Sequence, residues 1–328
     1  MPYSSIAYIT AHRLGDALFQ TPAIRQLKSA IPGISISIIA PSAASYAVFE
    51  GNPDIDALYD ASSSIPEALK GRTFDLTMSN CSKRFAIPIC KSINGPQLFP
   101  AGLGEIRSKE KEPSLAIDLQ HSCVSALESL CASLQISSTC NDYSYTLPFT
   151  KQDELQVDRI LKQLDVSNRT LIGLHLGCRS VRKHLSFLKS DITHKKAWRL
   201  NEATRFCQLL SEKHPEIRCL ATGTQAEGIF TKKLAKVCPN VIDVVDLFSI
   251  KEAAALMHRL QTYVVTDTGM LHVASTTPVH IVGLYAVTNP AITGPSPGRT
   301  AHTAIQRDSM DAITGDMVFD AVHTALTT

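Results

Sequence analysis

The sequence predicts two consecutive α/β domains, each built on a doubly wound parallel sheet. Three observations predict this. Short apolar, β-branched runs alternate with amphipathic helical stretches along the chain, the pattern of strand–helix–strand units. That alternation pauses once, in a polar stretch at 141–152, and then restarts. At 328 residues the chain is long enough for two domains of ordinary size.

The first domain is placed at 1–150. A strand at 5–10 runs into the loop of His12, Arg13, Leu14 and Gly15. A helix follows at 16–30, with Ala17, Leu18, Ala23, Ile24 and Leu27 at helical spacing, and Pro32-Gly33 closes it. Next come a strand at 34–40, a helix at 43–49, the turn Gly51-Asn52-Pro53, strands at 55–59, at 74–78 and near Leu98, and a helix at 119–134. Such β-α-β-α order implies a parallel sheet. The stretch 80–112 reads as irregular and basic, carrying Lys83, Arg84, Lys91, Arg107, Lys109 and Lys111. It is either a solvated surface or a contact for an anionic acceptor. No G-x-G-x-x-G follows the first strand, so a dinucleotide-binding reading loses its main support. Asp16 stands at the start of a helix, where the dipole favours the charged carboxylate. It suits a proton acceptor there, or serves only as a helix-start residue.

The second domain is placed at 151–310, with a tail helix at 311–328. A helix at 153–164 leads in. Strands are expected at 171–176, 218–222, 241–245, 263–266 and 281–287, and helices at 201–213, 225–237, 250–260 and 270–275. Ser249 with Glu252 spells a capping box. Strand 263–266 breaks at Asp267-Thr268-Gly269 and resumes as a short apolar helix through Met270, Leu271 and His272. Such a junction leaves backbone N–H groups unpaired at the positive end of a helix dipole, a setting for phosphate. Asp267 lies at the carboxyl end of its strand, where ligands of open α/β sheets bind; Asp267 and Thr268 are equally good helix caps. The loop after 171–176 is basic, with Arg179, Arg182, Lys183, Lys189, Lys195 and Lys196 before Trp198. A further strand-to-helix turn runs from Thr222 and Gly223 to Glu227, and Leu247-Phe248 precede the capping box.

Composition removes several classes. Net charge is +2, so nothing in bulk electrostatics calls for nucleic acid. No apolar run approaches the ~20 residues that span a bilayer. The first residues lack the basic region of a signal peptide. Hydrophobic content of 44% is that of an ordinary globular protein. Nine cysteines, an odd number with no C-x-x-C pair, imply free thiols in a reducing cytoplasm rather than disulfides or a zinc site. Cys178, in the basic loop, is the one to watch, with an inert small residue as the other reading. No D-x-D pair occupies a candidate site loop, so no metal is expected.

The run Asp267-Thr268-Gly269-Met270-Leu271-His272 resembles the D-T-G-x-x-H signature of glycosyltransferase family 9, the ADP-heptose:lipopolysaccharide heptosyltransferase family. Other motifs resemble that family in the same order: Arg13-Leu14-Gly15-Asp16 its R-L-G-D, Thr21-Pro22-Ala23 its T-P-A, Gly51-Asn52-Pro53 its G-N-P, and Lys196-Ala197-Trp198 its K-x-W. The resemblance implies the GT-B fold class, two Rossmann-like domains facing a central cleft, the first binding acceptor and the second the nucleotide sugar, with the last helix packing back toward the first.

The resemblance also implies an inverting, metal-independent heptosyltransferase without cofactor, whose donor is ADP-heptose and whose acceptor is the inner core of a lipopolysaccharide precursor. It assigns Asp16 as catalytic base, Lys196, Thr268 and Gly269 to the diphosphate, Asp267 to the heptose, and Glu227 to the ribose diol, which a carboxylate can hold by two hydrogen bonds. His272 orients the phosphate turn or packs in the helix. Arg13, Gly15, Arg182, Lys195 and Leu247 are further candidate contacts, and Leu247 serves core packing equally well. The basic loop is longer than in the family, so Lys195 or Arg182 could share the role of Lys196. A cytoplasmic enzyme with peripheral contact to the inner membrane would follow from a lipid-linked acceptor. The alternatives are a different acceptor, such as a protein hydroxyl, a different donor, or a nucleotide-sugar epimerase of similar architecture.

Overall fold

The computed structural model describes residues 3–79, 81–98, 121–137, 142–177, 195–225 and 227–327. The chain divides into two compact units, Met1–Pro148 with Ser296–Gly298, and Phe149–Pro295 with Arg299–Thr328.

In the first unit five strands pair in parallel: β1 (Ser5–Ile9), β2 (Ser35–Ala40), β3 (Ala57–Asp60), β4 (Leu76–Ser79) and β5 (Gln97–Leu98). Their order is β3-β2-β1-β4-β5. The central strands are apolar on both faces because helices cover both. Ile6, Tyr8, Ile9, Ile36, Ile38 and Ile39 are all buried, as a doubly wound parallel sheet requires. From β1 the chain winds outward one way through β2 and β3, then returns to lay β4 and β5 on the other side. The reversal falls between β1 and β4, and the loops at their carboxyl ends are where this class of sheet binds ligands.

Two expectations for this unit are corrected. The helix expected at 16–30 is two helices, α1 (Leu14–Leu18) and α2 (Thr21–Ala30), with Pro22 in the first turn of the second. A proline there lacks the N–H a continuous helix would use, and its ring would press on the carbonyl one turn back. Gln20, in the gap, accepts a hydrogen bond from the Ala11 N–H at 3.2 Å, which fixes the break to the end of the β1 loop. The stretch read as irregular contains a helix, α4 (Lys83–Cys90), after α3 (Ala43–Phe49). Its buried Ala86, Ile89 and Cys90 follow helical spacing, a signal that Pro88 interrupts. The last helix of the unit is α5 (Ser122–Leu134). Residues 99–112 of the basic stretch lie outside the described residues.

The second unit holds a six-stranded parallel sheet: β6 (Thr170–His175), β7 (Ile217–Thr222), β8 (Val241–Asp243), β9 (Thr262–Thr266), β10 (His280–Tyr285) and β11 (His302–Gln306). The order is β11-β10-β9-β6-β7-β8. The reversal repeats here between β6 and β9. Strand β11 was not expected. It is an edge strand with one fully buried residue, Ile305, so its sequence carries almost no apolar signal. The helices are α6 (Lys151–Gln163), α7 (Leu200–Lys213), α8 (Gly228–Val237), α9 (Ile250–Met257), α10 (Gly269–Ala274), α11 (Pro290–Thr293) and α12 (Gly315–Thr327). Ser249 and Glu252 form the expected capping box, each side chain bonded to the other's backbone N–H. Helix α12 packs on α7 within a core that includes Trp198, Phe206, Ile313, Val318 and Val322. No helix among the described residues is long and apolar enough to cross a membrane.

Candidate functional site

In the second unit the carboxyl ends of β6, β7 and β9 bring together most of the residues singled out from the sequence. The loop carrying Lys196 is held by its neighbour Trp198, which is fully buried. The Trp198 N–H donates to the Leu176 carbonyl at 3.0 Å, just past the end of β6. Its indole N–H donates to the Ile313 carbonyl at 2.8 Å. The K-x-W spacing thus serves to plant an indole in the core and leave a lysine at the mouth of the sheet.

Lys196 Nζ donates to Asp267 Oδ2 at 2.8 Å. Thr293, at the end of α11, donates to the same oxygen at 3.4 Å. The Asp267 backbone N–H donates to the Leu284 carbonyl at 3.3 Å, which ties it to β10. Burial acts to raise the Asp267 carboxyl, yet the Lys196 ammonium, hydrogen bonds from Lys196 and Thr288, and nearby His272 together hold it below the usual carboxylate range. The group is therefore a carboxylate at neutral pH. Thr268 follows in extended conformation at the start of α10, its hydroxyl buried without a hydrogen-bond partner among the described residues, and Gly269 is the first helical residue. His272 is buried within α10.

Glu227 sits just before α8 and is only 6% exposed. One carboxylate oxygen, Oε2, accepts from the Thr224 N–H at 2.7 Å and the Thr224 hydroxyl at 2.9 Å. The other, Oε1, is buried and has no hydrogen-bond partner among the described residues. It lies 3.8 Å from His175 Nε2, and it occupies the space where a side chain at Gly177 would be. Behind it, His175 Nδ1 is 3.3 Å from the Thr222 hydroxyl, which in turn is 2.8 Å from the Tyr263 hydroxyl. A buried carboxylate oxygen with an open hydrogen-bonding position is a costly feature, and a ligand donor is one way to complete it.

Sequence reasoning missed His175, Gly177 and Thr293. A readable signal for His175 was a polar residue ending an otherwise apolar strand. Gly177 and Thr293 matter only through neighbours distant in sequence. Leu247 is 43% exposed and so does not serve the core. Lys195 is exposed. Arg182 and Cys178 lie outside the described residues.

In the first unit, the loop after β1 carries the R-L-G-D run into α1. Arg13 is exposed at the helix N-cap, Gly15 lies in the first turn, and Asp16 is the third helical residue, partly exposed. The same end of the sheet holds His12, whose ring is 4.6 Å from that of Phe85 on α4, and whose carbonyl accepts from the Ser42 hydroxyl at 2.7 Å. Cys81, just past β4, is buried there. Burial, and to a lesser degree the charge of Asp16, pushes its thiol up to about 11, so it is an inert neighbour rather than a nucleophile. The other described cysteines are also buried and unbridged. Among the described residues, no three His, Cys, Asp or Glu side chains are grouped to hold a metal.

Solved structures share this architecture over the whole chain. The glycosyl transferase family 9 structure from Veillonella parvula DSM 2008 superposes with a TM-score of 0.78 at 17% identity, covering 100% of this chain and 98% of that one. The E. coli ADP-heptose LPS heptosyltransferase II gives 0.72 at 14%, with 98% of each chain covered. The E. coli heptosyltransferase WaaC with ADP gives 0.69 at 16%, again with 98% of each chain covered. No curated protein sequence matches the chain. Two doubly wound parallel sheets with candidate residues at their switch points, in the likeness of these structures, define the GT-B fold class.

The model of glycosyltransferase family 9 (heptosyltransferase) matches residues 143–314, more than half of the chain. The protein belongs to that family and is a glycosyltransferase.

Proposed function

We propose that this enzyme transfers heptose from ADP-heptose to a sugar hydroxyl of the lipopolysaccharide inner core, with inversion and without a metal. The observation that carries the donor half is the grouping at the ends of β6, β7 and β9. There a lysine and a carboxylate lie side by side, and a buried carboxylate has one oxygen open for a hydroxyl donor. The structural relatives include a heptosyltransferase solved with ADP, which supports the same nucleotide here.

On this reading Glu227 holds the ribose, Lys196 and the backbone of Thr268 and Gly269 hold the diphosphate, and Asp267 meets the sugar hydroxyls. The exposed Leu247, in the turn before α9, and the exposed Lys195, next to Lys196, are further candidate contacts, and His272 packs inside α10 and supports the turn. The Asp16 carboxylate accepts the proton of the acceptor hydroxyl as its oxygen attacks the anomeric carbon. The bond from that carbon to the diphosphate breaks on the opposite face, and the electron pair leaves with ADP. Lys196 offsets the charge that develops on the leaving group, which is the work a metal would otherwise do. Arg13, exposed at the N-cap of the helix that carries Asp16, supplies positive charge for an anionic acceptor. The acceptor is a lipid-linked sugar reached at the cytoplasmic face of the inner membrane.

The test is calorimetry with nucleoside diphosphates in the presence of a chelator, followed by transfer assays with ADP-heptose and a heptose-free lipopolysaccharide precursor. ADP-selective binding that is lost in Lys196→Ala, with transfer to the precursor, is the expected result. A preference for UDP, or a strict requirement for a divalent ion, would overturn it.

A further inference from the structure

The lysine assigned to the diphosphate already has an anionic partner of its own. Asp267 Oδ2 lies 2.8 Å from Lys196 Nζ, and Asp267 is only 8% exposed. Its position is set from three directions: by Lys196, by the Thr293 hydroxyl, and by its own backbone bond to Leu284. A phosphate that reaches Lys196 therefore comes up against a fixed carboxylate. Like charges brought together in a partly desolvated site weaken binding.

That penalty differs between the two ends of the reaction. A sugar diphosphate donor carries about two negative charges. When the bond to the anomeric carbon breaks, the electron pair stays on the terminal phosphate, and the nucleoside diphosphate carries about three near pH 7, since a phosphomonoester has its second ionisation near pH 6. In the donor complex the sugar hydroxyls can also donate to Asp267, and those donors leave with the transferred sugar.

We propose that Asp267 discriminates against the nucleoside diphosphate product, loosening the site's hold on it relative to the sugar-bound donor and so promoting product release. This rests on the reading of the site as a nucleotide-sugar site.

The test compares ADP with its β-methyl ester, which keeps the diphosphate but carries one charge fewer. Both are titrated into the wild-type protein and into Asp267→Asn. Asp267→Asn should bind ADP about tenfold more tightly and gain clearly less for the ester. An equal gain for both ligands, or none for ADP, overturns the proposal while leaving the donor-site reading intact. Failure of the wild-type protein to bind either ligand brings down both.

A second measurement follows pH in the same two proteins. As the terminal phosphate of ADP ionises between pH 5 and pH 8, the preference for ADP over the ester should rise less in the wild-type protein than in Asp267→Asn. Equal trends in the two proteins would overturn the proposal. Lys196, His272 and Tyr285, which share the electrostatic surroundings of Asp267, are present in both, so the difference reports Asp267 itself.

Discussion

Gly177 gives up its side-chain space to the carboxylate of Glu227: a Cβ built on Gly177 would stand 2.0 Å from Oε1. The atom in the way is the far end of a flexible side chain, so Gly177→Ala moves Glu227 rather than breaking the sheet. Displacing that carboxylate also strains its bonds to Thr224. The variant should stay folded, lose up to about 2 kcal/mol of stability, and bind ADP at least about tenfold more weakly. Calorimetry beside a thermal melt checks this, and undiminished ADP affinity would remove Glu227 from the donor site.

Asp16 gives the most direct test of chemistry. Asp16→Asn keeps the shape and removes the proton acceptor. Transfer should fall by about 10²–10⁴, whereas ADP affinity, set by residues of the other unit, should stay within about twofold of wild type. Retained turnover in this variant would place the base elsewhere.

Acid sensitivity should trace in part to His302. Burial first, then the charges of Arg299 and His280, draw its imidazole down to about 4. In the unfolded chain it titrates near 6.5. Between these values the unfolded state binds a proton that the folded state refuses, so stability is complete above about pH 6.5 and falls as pH drops toward about 4. His280 is shifted in the same direction, by burial first and then Arg299. The side chain of His302 is partly open to water, so its share is on the order of 1–2 kcal/mol. Urea melts of His302→Asn at pH 7 and pH 5 should show a shallower loss than wild type; an unchanged slope would assign the acid sensitivity to other groups.

Trp198 separates anchoring from catalysis. Trp198→Phe keeps most of the packing but strands the Ile313 carbonyl, which should cost about 1–3 kcal/mol. Trp198→Ala adds a cavity and should cost about 3–5 kcal/mol. Both should weaken ADP binding through the displaced Lys196, and urea denaturation with calorimetry tests the two effects together. A destabilised Trp198→Phe with full ADP affinity would show that the lysine is held by other means.

Most helices and strands could be read from the chain because their signals are local. Burial on both faces makes β6, β9 and β10 continuous apolar runs, and Ser249 with Glu252 marks the start of α9 within four residues. Asp16, Lys196, Glu227 and Asp267 stood out through the family motifs they resemble, since on local rules alone a helix-start or solvated role accounts for Asp16, Glu227 and Lys196 as well. At two places a local rule competes with another. Pro22 splits a helix that periodicity had joined, and β11 carries no pattern because an edge strand buries almost nothing.

Only the folded chain decided which of those residues touch. Lys196 and Asp267 are 71 positions apart, Thr293 reaches Asp267 from the end of α11, and Glu227 fits because Gly177, in the loop after β6, has no side chain. Periodicity and capping express interactions across one helical turn or one strand pleat, so a sequence can declare them. The charge balance of the site depends on which strand lies beside which, and that is set by packing the sheet in the order β9-β6-β7. A single sequence carries no local mark of that order.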